Sequence, residues 1–151
     1  MIINDVLSEK LIDLDMHVKD KNDVIDKMAE MFYKNGIVKS KEDYLKDVFK
    51  REKLGTTGVG MGIAIPHGKS KSVLKTAVAI AKLHKPIDWD SSDSTPTKMV
   101  FMLAVPEGKN SIHIKLLSQL ASLLMDDNFR KKLFNVKEKS DILKCINLNI
   151  K

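Results

Sequence analysis

Arg51-Glu52-Lys53-Leu54-Gly55-Thr56-Thr57-Gly58-Val59-Gly60-Met61-Gly62-Ile63-Ala64-Ile65-Pro66-His67-Gly68 is the stretch around which the chain is organised. Its charged start reads as the end of a helix. A glycine-rich loop follows, then a short apolar run, Ile63 to Ile65, that stops at Pro66-His67-Gly68. Glycine admits positive φ and close backbone approach. Proline fixes its own φ and removes a donor. The pattern sets the imidazole of His67 on a rigid corner at the mouth of a sheet.

Upstream of the stretch, residues 7–14 mix apolar and polar side chains as a first strand does. Residues Asp20 to Asn22 offer helix caps. Val24, Ile25, Met28, Ala29 and Phe32 then recur at helical spacing until Asn35-Gly36. Ser40 caps a second helix, with Asp43 where a capping box would hold Glu or Gln. Its apolar stripe is Tyr44, Leu45, Val48 and Phe49. Running to about Lys53, this helix carries Arg51 in its last turn beside the glycine loop.

Downstream, residues 69–72 read as a basic, polar turn. Residues 76–83 and 98–105 are apolar runs of the kind found in strands covered on both faces. Residues 86–96 read as a loop, with Trp89 at the core edge. Pro106-Glu107-Gly108 is a turn, and Ser111 caps the next helix. Ile112, Leu116, Leu120 and Leu123 form its stripe, widened by Leu117, Ala121 and Leu124, until Asp126-Asp127-Asn128 breaks it. Residues 129–134 and 141–148 read as short terminal helices. Alternating helices and strands predict an α/β three-layer sandwich: a central mixed β-sheet of about five strands with helices on both faces. Without an internal repeat, low-complexity tract or linker, residues 1–151 are expected to form a single domain.

The composition narrows the function. The 151 residues are 43% hydrophobic and 30% charged, the balance of a soluble globular domain. No apolar run approaches bilayer length, so no membrane insertion is expected. Met1-Ile2-Ile3-Asn4-Asp5 lacks the pattern of a signal peptide. Cys145 is the only cysteine, which excludes an internal disulfide and fits a cytoplasmic location. The net charge of +6 is spread along the chain among Asp and Glu, with only 5% aromatics. That pattern reads as a solvated surface, and no nucleic-acid partner is expected.

Nucleotide motifs fail on spacing. Gly68-Lys69-Ser70 ends like a P-loop, but the required earlier glycine falls at Ile63. Gly58, Gly60 and Gly62 miss the dinucleotide pattern, because the third glycine would fall at Ile63 or Ile65. Neither HExxH nor paired CxxC motifs occur, and no GxSxG is present; no metal or other cofactor is expected. Among the histidines, His17 and His84 sit in polar settings and read as ordinary surface residues. His67 ends an apolar strand, where α/β sites form. His113 falls in the first turn of a helix, where free N–H groups and the dipole attract phosphate. Neutral imidazole at His67 suits attack, and imidazole at His113 can donate a hydrogen bond. The Arg51 fork suits phosphate oxygens. The residues alone leave the plainer readings open: a capping-region histidine packed on Leu117, and a helix-end cation balancing the dipole.

Glu52 through Gly68, above all Val59-Gly60-Met61-Gly62-Ile63-Ala64-Ile65-Pro66-His67-Gly68, resembles the active-site signature of the enzyme IIA component, fructose/mannitol type, of the phosphoenolpyruvate-dependent sugar phosphotransferase system. Ile87-Asp88-Trp89, Phe101 to Glu107 and His113-Ile114-Lys115-Leu116-Leu117 extend the likeness, with the fructose branch nearest. The resemblance implies a phosphotransferase component. His67 would accept a phosphoryl group from the phosphohistidine of the carrier HPr and pass it to a cysteine of an enzyme IIB component, with membrane enzyme IIC served indirectly. It implies that His113 donates a hydrogen bond to the phosphate. Arg51 would balance phosphate and transition-state charge, and Gly60, Gly62 and Gly68 would belong to the phosphate-binding loop. It also admits a regulatory relative, whose phosphorylation state controls a partner protein.

Overall fold

The computed structural model describes residues 2–149. In chain order the elements are α1 (Ile2–Asp5), a 3-10 turn (Glu9–Leu11), β1 (Ile12–Met16), α2 (Lys21–Lys34), α3 (Lys41–Glu52), β2 (Gly58–Gly60), β3 (Ile63–Ala64), β4 (His67–Ser70), β5 (Ala77–Ile87), β6 (Thr97–Pro106), α4 (Asn110–Leu124), α5 (Asp127–Phe134) and α6 (Lys139–Asn149). The long antiparallel pair β5–β6 is the spine. On one side β1 runs parallel to β5; on the other, β3 and β4 lie one after the other along β6, both parallel to it, and β2 closes the edge on β3. Among the described residues the expected mixed sheet is present, with six strands where about five were expected.

The spine strands show why the sheet is covered twice. Successive strand side chains point to opposite faces. Ala77, Ala79, Ala81, Val100, Met102 and Ala104 enter one core with Val24, Met28, Phe32, Tyr44 and Val48 of α2 and α3. Val78, Ile80, Met99, Phe101, Leu103 and Val105 enter the other with Leu116, Leu120, Phe129, Leu133, Ile142 and Ile146 of α4 to α6. The alanines on the first face let α2 and α3 approach closely. Tyr44 stacks edge-on with Phe32 at 5.7 Å, and its hydroxyl donates to the Leu103 carbonyl at 2.7 Å.

Caps follow the sequence in α2 and α3, where Asp20 and Ser40 accept from the Asp23 and Asp43 amides. Several boundaries differ from expectation. The first strand starts at Ile12, because Ser8 caps a 3-10 turn over the start of the expected segment. Lys69 and Ser70 are strand, since pairing with Val105 and Pro106 prolongs β4 beyond the expected turn. β5 runs on to Ile87 through Pro86, across a register break after Lys82, where the missing proline donor leaves no unmade ladder bond. α4 begins at Asn110; Lys109 occupies the cap position without a side-chain bond, so Ser111 is inside the first turn and is not the cap. Ala121 faces solvent and does not widen the stripe. Trp89 is fully buried, as its position at the core edge anticipated.

Candidate functional site

His67 is the first residue of β4 and sits opposite Leu103 of β6. The Leu103 amide donates to the Pro66 carbonyl at 3.0 Å, which fixes the corner. The His67 ring turns back on its own chain, with Nδ1 2.9 Å from the Ile65 carbonyl oxygen. A carbonyl only accepts, so Nδ1 carries the proton and the neutral ring keeps its lone pair on Nε2. The residue is only 8% exposed. Burial lowers its pKa most; the Ile65 carbonyl opposes this, and the nearby Arg51 charge lowers it further.

Gly68 explains how α3 reaches this corner. A Cβ there would lie 2.9 Å from Val48 Cγ2, 3.2 Å from Tyr44 Cε1 and 3.3 Å from the Val48 amide nitrogen. Only a residue without a side chain lets α3 rest directly on β4. That contact brings Arg51, in the last turn of α3, toward the histidine. Its Nη1 donates to the Gly55 carbonyl at 2.9 Å, so the guanidinium also ties down the loop beyond the helix.

His113 arrives from the opposite side. It lies in the first turn of α4, which follows β6 after a short turn. Its ring centroid is 4.8 Å from that of His67, with the planes at 55°. Its Nε2 is buried and has no hydrogen-bond partner among the described residues. Buried polar atoms are nearly always paired, so this nitrogen keeps a hydrogen bond to spare for a group that enters the site. Burial, then the charges of His67, Lys69 and Arg51, bring its pKa down to about 4. Both rings are therefore neutral at pH 7.

Two contributors escaped the sequence reading. Lys69 lies in β4, and its Nζ donates to Asn110 Oδ1 at 2.8 Å, bridging to the start of α4. Its charge reaches both histidines. Glu52 accepts from the Thr57 hydroxyl, which accepts in turn from Trp89 Nε1 at 3.0 Å; the other Glu52 oxygen meets Lys21 Nζ at 2.6 Å. This chain anchors the loop between α3 and β2. A glutamate following Arg51 at a helix end was the available signal, and charge alone does not reveal that it is buried.

Gly60 and Gly62 lie elsewhere. They flank and complete a tight hairpin turn between β2 and β3, where Met61 and Gly62 have φ of 58° and 82°. Two successive positive φ values are what such a turn needs. Gly60 packs against the Asp93 carboxylate, which accepts from the Met61 amide at 2.8 Å. The hairpin meets β6 at Met99, four residues from the His67 row at Leu103, roughly 13 Å along the strand. The turn accounts for both glycines without a phosphate.

His17 and His84 are exposed as expected, but they are not separate. Their rings stack at 4.0 Å and 21°, and both bond to Asp15. These bonds, that to His84 first, hold the Asp15 carboxyl below its usual range.

The profile of the family described as "Phosphoenolpyruvate-dependent sugar phosphotransferase system, EIIA 2" matches residues 5–149. The chain is 37% identical over 97% of its length to the PTS system fructose-specific EIIABC component of Bacillus subtilis, and it spans 23% of that protein. Nitrogen regulatory protein IIA-Ntr from Neisseria meningitidis superimposes with a TM-score of 0.91 at 30% identity, covering 97% of this chain and 99% of the other. A IIA chain in the complex of enzyme IIAMTL and phosphorylated enzyme IIBMTL from Escherichia coli superimposes at 0.81 and 25% identity, covering 95% of this chain and 98% of the other.

A doubly covered mixed sheet with paired histidines at the ends of β4 and α4 thus places the molecule among phosphotransferase-system components. The chain belongs to the EIIA family of fructose/mannitol type. Among the described residues no helix is long and apolar enough to cross a membrane.

Proposed function

We propose that this chain is a single EIIA domain acting in the cytoplasm as a phosphocarrier through a phosphohistidine at His67. One observation carries the reading: His67 donates a hydrogen bond from Nδ1–H to the Ile65 carbonyl and so keeps its lone pair on Nε2, beside a buried Nε2 on His113 that has no partner among the described residues. The lone pair of His67 Nε2 attacks the phosphorus of the HPr phosphohistidine. A new N–P bond forms as the donor's N–P bond breaks, and the donor ring leaves neutral. Transfer onward repeats the displacement, with an enzyme IIB cysteine thiolate as nucleophile and His67 as the leaving group.

Such a transition state asks the protein for alignment and charge balance, not for covalent chemistry. His113 donates from Nε2–H to a phosphoryl oxygen, which gives that nitrogen a partner. Arg51 and Lys69 supply positive charge, and the uncapped amides at the start of α4 add donors. Gly68 contributes by admitting α3. Partners dock over exposed apolar side chains beside the site: Leu54, 81% exposed, follows Arg51 closely, and Ile114, 65% exposed, follows His113. The phosphorylated enzyme IIB in the Escherichia coli complex supports an enzyme IIB acceptor.

The reading is tested by reconstitution. Phosphoenolpyruvate, the general carrier proteins, this chain and fructose-type IIB and IIC should yield sugar phosphate. The near-complete overlay on IIA-Ntr favours one second reading, a regulator whose phosphorylation controls a partner. In that case the chain becomes phosphorylated and no sugar phosphate appears with any IIB.

A further inference from the structure

The cluster of Asp15, His17 and His84 lies outside the phosphotransfer site. It arises from register. Met16 of β1 pairs with Leu83 of the parallel neighbour β5, so the next residues, His17 and His84, occupy equivalent positions. Parallel neighbours at one level put their side chains side by side, which gives the 4.0 Å ring stack. Between Asp13 and Met16 the ladder slips, with three residues of β1 spanning two of β5. That bulge carries Asp15. Its two carboxylate oxygens accept from His84 Nδ1 at 2.9 Å and His17 Nε2 at 3.2 Å.

We propose that Asp15, His17 and His84 form a surface site for a divalent transition-metal ion, Zn2+ foremost. One ligand atom from each residue lies within 4.8 Å of the other two. Ligands of a tetrahedral zinc with bonds of 2.0–2.2 Å stand roughly 3.4 Å apart. Small rotations of three exposed side chains close that difference. Each neutral ring moves its N–H proton to its far nitrogen through solvent, and the freed lone pair replaces a water on the ion. Two imidazoles and one carboxylate suit zinc and copper better than magnesium or calcium. Three protein ligands leave an open position for water.

The backbone beneath is already held. Asp13 Oδ1 accepts from the Asp15 amide at 3.0 Å, and Lys27 Nζ donates to the His17 carbonyl at 2.5 Å. The Asp13 carboxylate favours a cation at this place and the Lys27 ammonium opposes it. Occupancy would clamp edge strand β1 to β5. His67 lies in the register row of Val78 and Leu103, six residues of β5 away, roughly 20 Å. The two sites are therefore separable by mutation.

Calorimetric titration of the full chain with Zn2+ tests the proposal. One equivalent should bind at micromolar concentration. At a hundredfold excess over the Kd, Tm should rise by about 5–10 °C. The variants D15N, H17A and H84A should each weaken binding roughly tenfold or more. The double variant H67A/H113A removes the other histidine pair and should bind as the parent does. Cu2+ bound to the chain should show two nitrogen couplings by electron paramagnetic resonance, and one in H17A or H84A. Absence of a one-to-one isotherm overturns the proposal. So does binding that survives D15N, H17A and H84A, or binding that H67A/H113A abolishes.

Discussion

The imidazole of His113, at the start of α4, stands 4.8 Å from that of His67, at the start of β4. Two strands and a helix converge to make that distance, and after burial itself the His67 ring adds to the cost of protonating His113. The pair is therefore built to be neutral when empty. A phosphoryl group on His67 reverses the sign: a dianion beside His113 favours its protonated form. The proposed phosphorylated protein should show His113 titrating well above its unphosphorylated value near 4. Such a ring is neutral before the transfer and holds the phosphoryl group as a cation after it.

Replacing His113 by alanine should leave His67 phosphorylatable, since the nucleophile remains. Transfer should slow by roughly 100-fold, the usual effect of losing one aligned donor. Rapid-quench measurement with labelled phosphoenolpyruvate and carrier proteins checks this. Unchanged rates both into and out of the protein would contradict the role.

Acid should both weaken and inactivate the protein. In the fold His113 holds its proton only below about 4, whereas the unfolded chain binds it near 6.5. Between those values the unfolded state carries more protons, so stability is retained above 6.5 and falls as pH drops toward 4. Urea midpoints at pH 7.5 and pH 5 should differ more for the parent than for His113→Ala. The His67 pKa is also lowered, so the rate of phosphoryl acceptance should hold level from pH 7 to 8 and fall only below the usual imidazole range near 6.5.

Gly68→Ala should destabilise the fold by about 1–3 kcal/mol, because the added methyl meets Val48 and Tyr44 in a packed contact. Relief requires α3 to move off β4, and α3 carries Arg51. Chemical denaturation should show the lost stability, and transfer should slow in the fraction that remains folded.

Leu54→Asp and Ile114→Asp probe docking. Both side chains are exposed, so urea midpoints should stay within about 0.5 kcal/mol of the parent. The KM for phosphorylated HPr or for IIB should rise while the maximal rate of transfer is kept. Parent-like KM values with both partners would remove these residues from the docking face.

Much of this was legible before any coordinates. The paired apolar runs at 76–83 and 98–105 mark strands covered on both faces, and Asp20 and Ser40 cap their helices as their positions indicate. His67 stood out because a proline and a glycine enclose it at a strand end. Other features required the third dimension. Pairing with β6 turns Lys69 and Ser70 from apparent loop into strand and aims Lys69 at α4. The glycines at 60 and 62 look like a phosphate cradle in one dimension, yet hairpin geometry explains them. His17 and His84, 67 positions apart, become neighbours only through the register of β1 on β5. Buried Glu52 is hidden for the same reason: a charge run reads as solvated until its partners, Thr57 and Lys21, are known.

Labelling with phosphoenolpyruvate, enzyme I and HPr, followed by site mapping, tests the central claim most directly. The account predicts one acid-labile, base-stable phosphoryl group on His67 Nε2 in the parent and none in His67→Ala. A phosphoryl group that persists on His67→Ala, or one that maps to His113 or another residue in the parent, would contradict it.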